Sequence, residues 1–96
     1  MHARVTRLTV TPDKVDDAQS AIEGTVIPTL KGVAGFAGGH FLADRSTGEC
    51  IGITLFETEE ALKSSRDIAA GIRDKVMQQT GGTFTGIEEY EVIAQA

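Results

Sequence analysis

Residues Ala3 to Val10 set Val5, Leu8 and Val10 among Arg4, Thr6, Arg7 and Thr9. That approximate two-residue period, rich in β-branched side chains, predicts a first strand. Thr11, Pro12 and Asp13 stop it: proline is pre-set for a first helical turn, and Thr11 or Asp13 can accept bonds from that turn's free amides. Apolar positions then recur three or four apart at Val15, Ala18, Ile22, Val26 and Leu30, which predicts a helix over 13–31. Pro28 lies in its last turns, where it removes an amide and crowds a carbonyl one turn back, so a kink or an early end is expected there.

Segment 36–57 reads as a hairpin. Strands Phe36 to Ala43 and Cys50 to Phe56 flank Asp44, Arg45, Ser46, Thr47 and Gly48, where the aspartate can bond its own backbone and the glycine can take positive φ. Thr58 offers an N-cap to a second helix, with Glu59 and Glu60 in the first turn where the helix dipole favours negative charge. Leu62, Ser65, Ala69, Ile72 and Val76 keep helical spacing to about Gln79, and Gly81 and Gly82 end it. A last strand, Phe84 to Ile93, completes the pattern.

The order βαββαβ implies an α+β, ferredoxin-like domain: a four-stranded antiparallel sheet with two helices on one face. Such a sheet should alternate cleanly between apolar and solvated faces. In strand three, Ile51, Ile53 and Leu55 fall on one face and Cys50, Gly52, Thr54 and Phe56 on the other, so neither is plainly solvated. Strand two sets Phe41 against Phe36 and Leu42, and strand four sets Ile87 and Ile93 against Tyr90 and Val92. Two helices cover one face, and the other is apolar enough to expect a face-to-face homodimer.

At 96 residues the chain has room for a single domain, 1–96, marginal in the surface it can bury, which also favours association. Lys plus Arg number 9 against 14 Asp plus Glu, and the basic residues are scattered, which argues against a nucleic acid partner. The single cysteine, Cys50, builds neither a disulfide framework nor a zinc site, so no metal is expected and a reducing cytoplasm fits best. No apolar run reaches membrane length, and Met1 to Thr11 reads as a mature strand rather than a signal sequence. The 11 glycines gather at 32–39, 48–52 and 81–86, the junctions between periodic segments.

Three stretches carry a resemblance. They are Thr9, Val10, Thr11, Pro12, Asp13 and Lys14; the linker Val33 to Phe36 leading into the hairpin with Asp44 to Gly48; and Thr54 to Leu62, reading TLFETEEAL. Over nearly its whole length the chain resembles the dimeric α+β barrel superfamily, and within it the small antibiotic biosynthesis monooxygenase-like domains. The resemblance implies a pocket between sheet and helices in each protomer. It also implies either cofactor-independent oxygenation of electron-rich aromatic substrates or haem degradation. The haem-degrading branch uses an asparagine in strand one, a tryptophan ending strand three and a histidine on helix two. The matching positions here are Thr6, Phe56 and the segment 63–77, which has no histidine, and the chain has no Asn and no Trp. That branch is disfavoured, and no cofactor is expected.

His40 is the leading candidate base, an imidazole in mid-strand that titrates near neutral pH. A histidine without a partner motif is more often a strand or interface residue. Its cross-strand neighbour is Thr54 if the hairpin loop holds three residues and Ile53 if it holds four, and the spacing allows both. Phe36 and Phe56 are candidate walls of an aromatic pocket or plain core, and Tyr90 a candidate donor at its mouth or an interface residue. With Thr6 and Thr54 they complete the candidate substrate-binding set. Gly38, Gly39 and Gly52 either leave room for a ligand or mark a bulge. Cys50 reads as an inert small hydrophobe, and Arg66 and Arg73 as solvated surface or a clamp for an anionic ligand. The expected function is a cofactor-independent monooxygenase acting on an aromatic or polycyclic molecule. The alternative is a non-catalytic, ligand-binding or stress-associated dimer that kept the fold.

Overall fold

In the computed structural model, which describes residues 1–96, the first strand is β1, His2–Thr9. Thr11 takes the N-cap position of the following helical segment without a side-chain capping bond, and Pro12 occupies the first helical position, where its missing amide costs nothing. The segment is continuous over 12–31 but changes pitch. A 3₁₀ turn, Pro12–Lys14, leads into α1, Val15–Ala21, then a π-helical stretch, Ile22–Val26, and finally α2, Ile27–Lys31. Pro28 therefore does not end the helix early. The widened π turns fall where its ring would otherwise meet the carbonyl of Gly24, and it sits in the first turn of α2, where a missing amide is tolerated.

Strands β2, Phe36–Ala43, and β3, Glu49–Phe56, form the expected hairpin. Asp44 Oδ1 accepts from Ser46 N at 2.9 Å and Ser46 Oγ at 2.6 Å, and Gly48 takes φ 82°. A Cβ on Gly48 would also lie 1.9 Å from the Val10 carbonyl oxygen, so the loop is held against the end of β1 by a residue that has to be glycine. Ala43 pairs with Cys50, and the Asp44 amide bonds the Glu49 carbonyl, leaving the four residues 45–48 in the loop. The pairing sets His40 opposite Ile53.

Thr58 caps α3, Glu59–Ser64, by accepting from Ala61 N at 3.1 Å. Ser65 breaks the helix for one residue before α4, Arg66–Thr80, which ends at Gly81 with φ 68°. Strand β4, Thr83–Glu91, stops two residues short of the expected end. The sheet order is β2-β3-β1-β4, all pairs antiparallel, with β1 and β3 in the middle. The core joins Leu8, Val10 and Cys50 of the sheet to Val15, Ala18, Val26 and Leu30 of the first helical segment, and to Ile72 and Val76 of α4. Both predicted helical stripes thus face the same side of the sheet. No helix is long and apolar enough to cross a membrane.

Candidate binding site

Cross-strand partners share a face, so the register assigns every strand residue. Arg4, Thr6 and Leu8 of β1 pair with Thr54, Gly52 and Cys50 of β3, while Phe41 of β2 pairs with Gly52 and Ile87 of β4 with Thr6. These look toward the helices. Ala3, Val5 and Arg7, with Leu55, Ile53 and Ile51, His40 and Leu42, and Glu88 and Tyr90, look the other way.

Between sheet and helices lies a mainly apolar cavity of about 90 Å³. Its sheet wall includes Thr6, Gly52, Thr54 and Phe41, and its helix wall Ile22 and Val26 of the π stretch and Ala69 and Ile72 of α4. Gly52 keeps it open. A Cβ there would approach the Phe41 ring at 3.2 Å, so the absent side chain is what lets the ring lie against the strand. Cys50, also in the wall, has its thiol pushed up in pKa by burial, which keeps it neutral and apolar in behaviour.

The candidate residues separate into three places. Thr6 and Thr54 line the cavity. Phe56 is completely buried beyond its end, stacked edge-on against Phe36 with centroids 6.0 Å apart, so this pair belongs to the core and not to the cavity wall. Phe36 reaches that position because a bulge between Phe36 and Gly38 reverses its parity, putting it on the same face as Phe41 rather than opposite. His40 lies on the outer face, exposed, because the four-residue loop sets it against Ile53. It is not among the residues that line the cavity. Tyr90 pairs with Ala3 on the same outer face, where its hydroxyl donates to Glu88 and the carboxylate raises its pKa.

Arg4 is the functional-looking residue that strand patterning passes over. It is 3% exposed, points to the helices and lines the polar end of the cavity. Its guanidinium donates to Ser65 Oγ at 3.0 Å, to the Leu62 carbonyl at 3.0 Å and to Glu89 at 3.1 Å, and it stands 5.5 Å over the Phe56 ring. Every buried side-chain polar atom in the protein is hydrogen-bonded. The available signal was parity: Arg4 is two residues from Thr6 and four from Leu8, on the core face of β1. Arg66 and Arg73 lie on α4 beside it, Arg66 bonded to Glu89 through two nitrogens. No group of His, Cys, Asp and Glu side chains converges in a way that could hold a metal ion.

No family model matches the chain. Two uncharacterised proteins of Mycobacterium tuberculosis, Rv2557 and Rv2558, are 34% and 32% identical over 94 and 92 residues. The chain spans about two-fifths of their length, 42% and 39%. Solved structures are similar over almost the whole chain. One is a putative antibiotic biosynthesis monooxygenase of Deinococcus radiodurans (TM-score 0.76, 12% identity, covering 100% of this chain and 96% of that one). SnoaB, a cofactor-independent oxygenase of Streptomyces nogalater, gives 0.74 at 14% identity, covering 98% and 94%. The heme-degrader MhuD of M. tuberculosis gives 0.72 at 15% identity, covering 100% and 99%. The chain has the ferredoxin-like α+β fold of these structures.

Proposed function

We propose that this protein is a homodimer that binds an aromatic small molecule in the cavity between sheet and helices of each protomer. The observation that carries it is the cavity: an apolar space walled by Phe41 and Ile72, with only Thr6, Thr54 and two arginines to orient a guest. At about 90 Å³ it admits part of one ring, and a larger guest has to widen it. Ala69→Leu, which extends a wall residue into the space, is the blocking variant. Titration of the labelled protein with 1-naphthol should shift the amides of Thr6, Gly52 and Thr54, and Ala69→Leu should abolish those shifts. Shifts confined to the outer face of the sheet, or unchanged in Ala69→Leu, would sink the reading.

The dimer is supported by the outer face, where Val5, Ile51, Ile53 and Leu55 form a half-buried apolar strip beside Leu42, 53% exposed. Sedimentation at micromolar concentration should give a dimer, and Ile53→Glu a monomer with intact secondary structure. A free buried cysteine suits a reducing cytoplasm.

A second reading, cofactor-independent oxygenation, is favoured by the likeness to SnoaB. No group in the cavity serves as a base at neutral pH, so the substrate's own ionised phenol or anthrone would deliver electrons to dioxygen. One dioxygen would be consumed for each methylene converted to a carbonyl, with release of one water. Oxygen uptake with a panel of hydroquinones and anthrones, lost in Ala69→Leu, is the expected result. Uptake equal in the two proteins would remove this reading and leave the binder.

A further inference from the structure

Beside the polar end of the cavity lies a cleft of about 370 Å³ lined by Arg4, Arg66, Arg73, Ile87 and Glu89. Arg4 and Arg73 line both spaces, so they mark the boundary between the apolar chamber and the cleft. Three guanidinium groups share one carboxylate there, in a chain whose net charge is −5. The positive charge is therefore concentrated against the trend of the molecule.

The three arginines differ in how they are occupied. Arg4 is engaged by Ser65, the Leu62 carbonyl and Glu89. Arg66 holds Glu89 with two nitrogens. Glu59, the other carboxylate near Arg66, is paired with Lys63 at 2.9 Å. Arg73 is half-buried and makes neither a hydrogen bond nor an ion pair. Burial, and then the neighbouring Arg4 charge, lower its pKa, against smaller opposing effects of the Asp74 and Glu89 carboxylates.

We propose that Arg73 receives the carboxylate of an amphipathic ligand whose apolar part lies in the cavity, with Arg66 flanking it in the cleft. This rests on the cavity being a ligand site. The planar fork of a guanidinium matches a carboxylate through two parallel N–H donors, and the partly desolvated setting strengthens each bond. Arg4 has a different part. With Glu89 it fixes the wall of the cleft and holds Arg66 to one side, which leaves Arg73 facing the opening. The substrate class that follows is an aryl or polycyclic acid, bound ring inward and acid outward.

Calorimetry with benzoate, benzamide and acetate tests this, with the chain as it stands and with Arg73→Gln and Arg73→Lys. Benzoate should bind roughly tenfold or more tightly than benzamide, weaken with added salt, and exceed acetate by a similar margin. Arg73→Gln should bring benzoate down to the benzamide level, and Arg73→Lys should recover part of the difference. Equal affinity for benzoate and benzamide, or an Arg73→Gln variant that keeps the preference, overturns the carboxylate site and leaves the cavity reading standing. Acetate binding as tightly as benzoate overturns the amphipathic ligand. Binding of neither aromatic overturns the cavity reading and this inference together.

Discussion

A single pairing, His40 opposite Ile53, decides which side of the sheet carries the imidazole. With the ring on the outer face and outside the cavity lining, His40→Ala should change the affinity of any cavity ligand by less than about twofold. A larger loss, measured by calorimetry, would mean that the ligand sits on the outer face. Glu89 is the contrasting case, a carboxylate that closes the buried Arg4 network. Its pKa is held below the ordinary 4.5 first by the Arg66 hydrogen bonds, with burial opposing, and then by Arg4. A lowered folded pKa means that its stabilisation is complete above the ordinary value and is lost as pH falls through the folded one. Glu89→Gln should therefore cost about 1–3 kcal/mol near neutral pH, with the gap to the parent protein closing below about pH 4.5. A denaturant series across pH measures it, and a gap independent of pH would refute the assignment. Thr6 came from the family resemblance and Thr54 from a possible pairing with His40, and both line the cavity. Arg4 was not legible, because a charged residue within an alternating strand reads as solvent-facing unless its buried partners are known, and Ser65 and Leu62 lie some 60 positions away.

The two helices were the most legible elements. A stripe spaced three or four apart, such as Leu62, Ser65, Ala69, Ile72 and Val76, can be buried along one side only of a helix, and all five are buried here. Pro28 misleads because the sequence shows the missing amide but not the adjustment that accommodates it, the π stretch Ile22–Val26. Strand two misleads for a related reason: the bulge before Gly38, with φ 118°, resets parity between Phe36 and Phe41. The π stretch also forms part of the cavity wall through Ile22 and Val26, and such segments often accompany binding sites. Widening of the cavity should start there. Amides of 22–27 are expected to exchange faster than those of the middle of α4, and 1-naphthol should slow them selectively. Uniform protection along both helical segments would place the give elsewhere, in β2 or its loop.

For the molecule as a whole, fold and surface charge follow from the same sequence at different distances. Periodicity, capping residues and turn chemistry are local and predicted the βαββαβ order. The cavity and the arginine cleft depend on contacts between β1, α4 and β4 that no local pattern encodes. The sheet order β2-β3-β1-β4 also leaves β4 at one border with an unpaired row of backbone amides and carbonyls. That border carries Glu88, Glu89 and Glu91 in four consecutive residues, and the first two have lowered pKa values, Glu88 through Tyr90 and then Arg7, and Glu89 through Arg66 and then Arg4. Carboxylates along an exposed strand repel a second copy approaching in register. Glu88 and Glu89 act as guards of this edge, kept ionised into acid by their own neighbours.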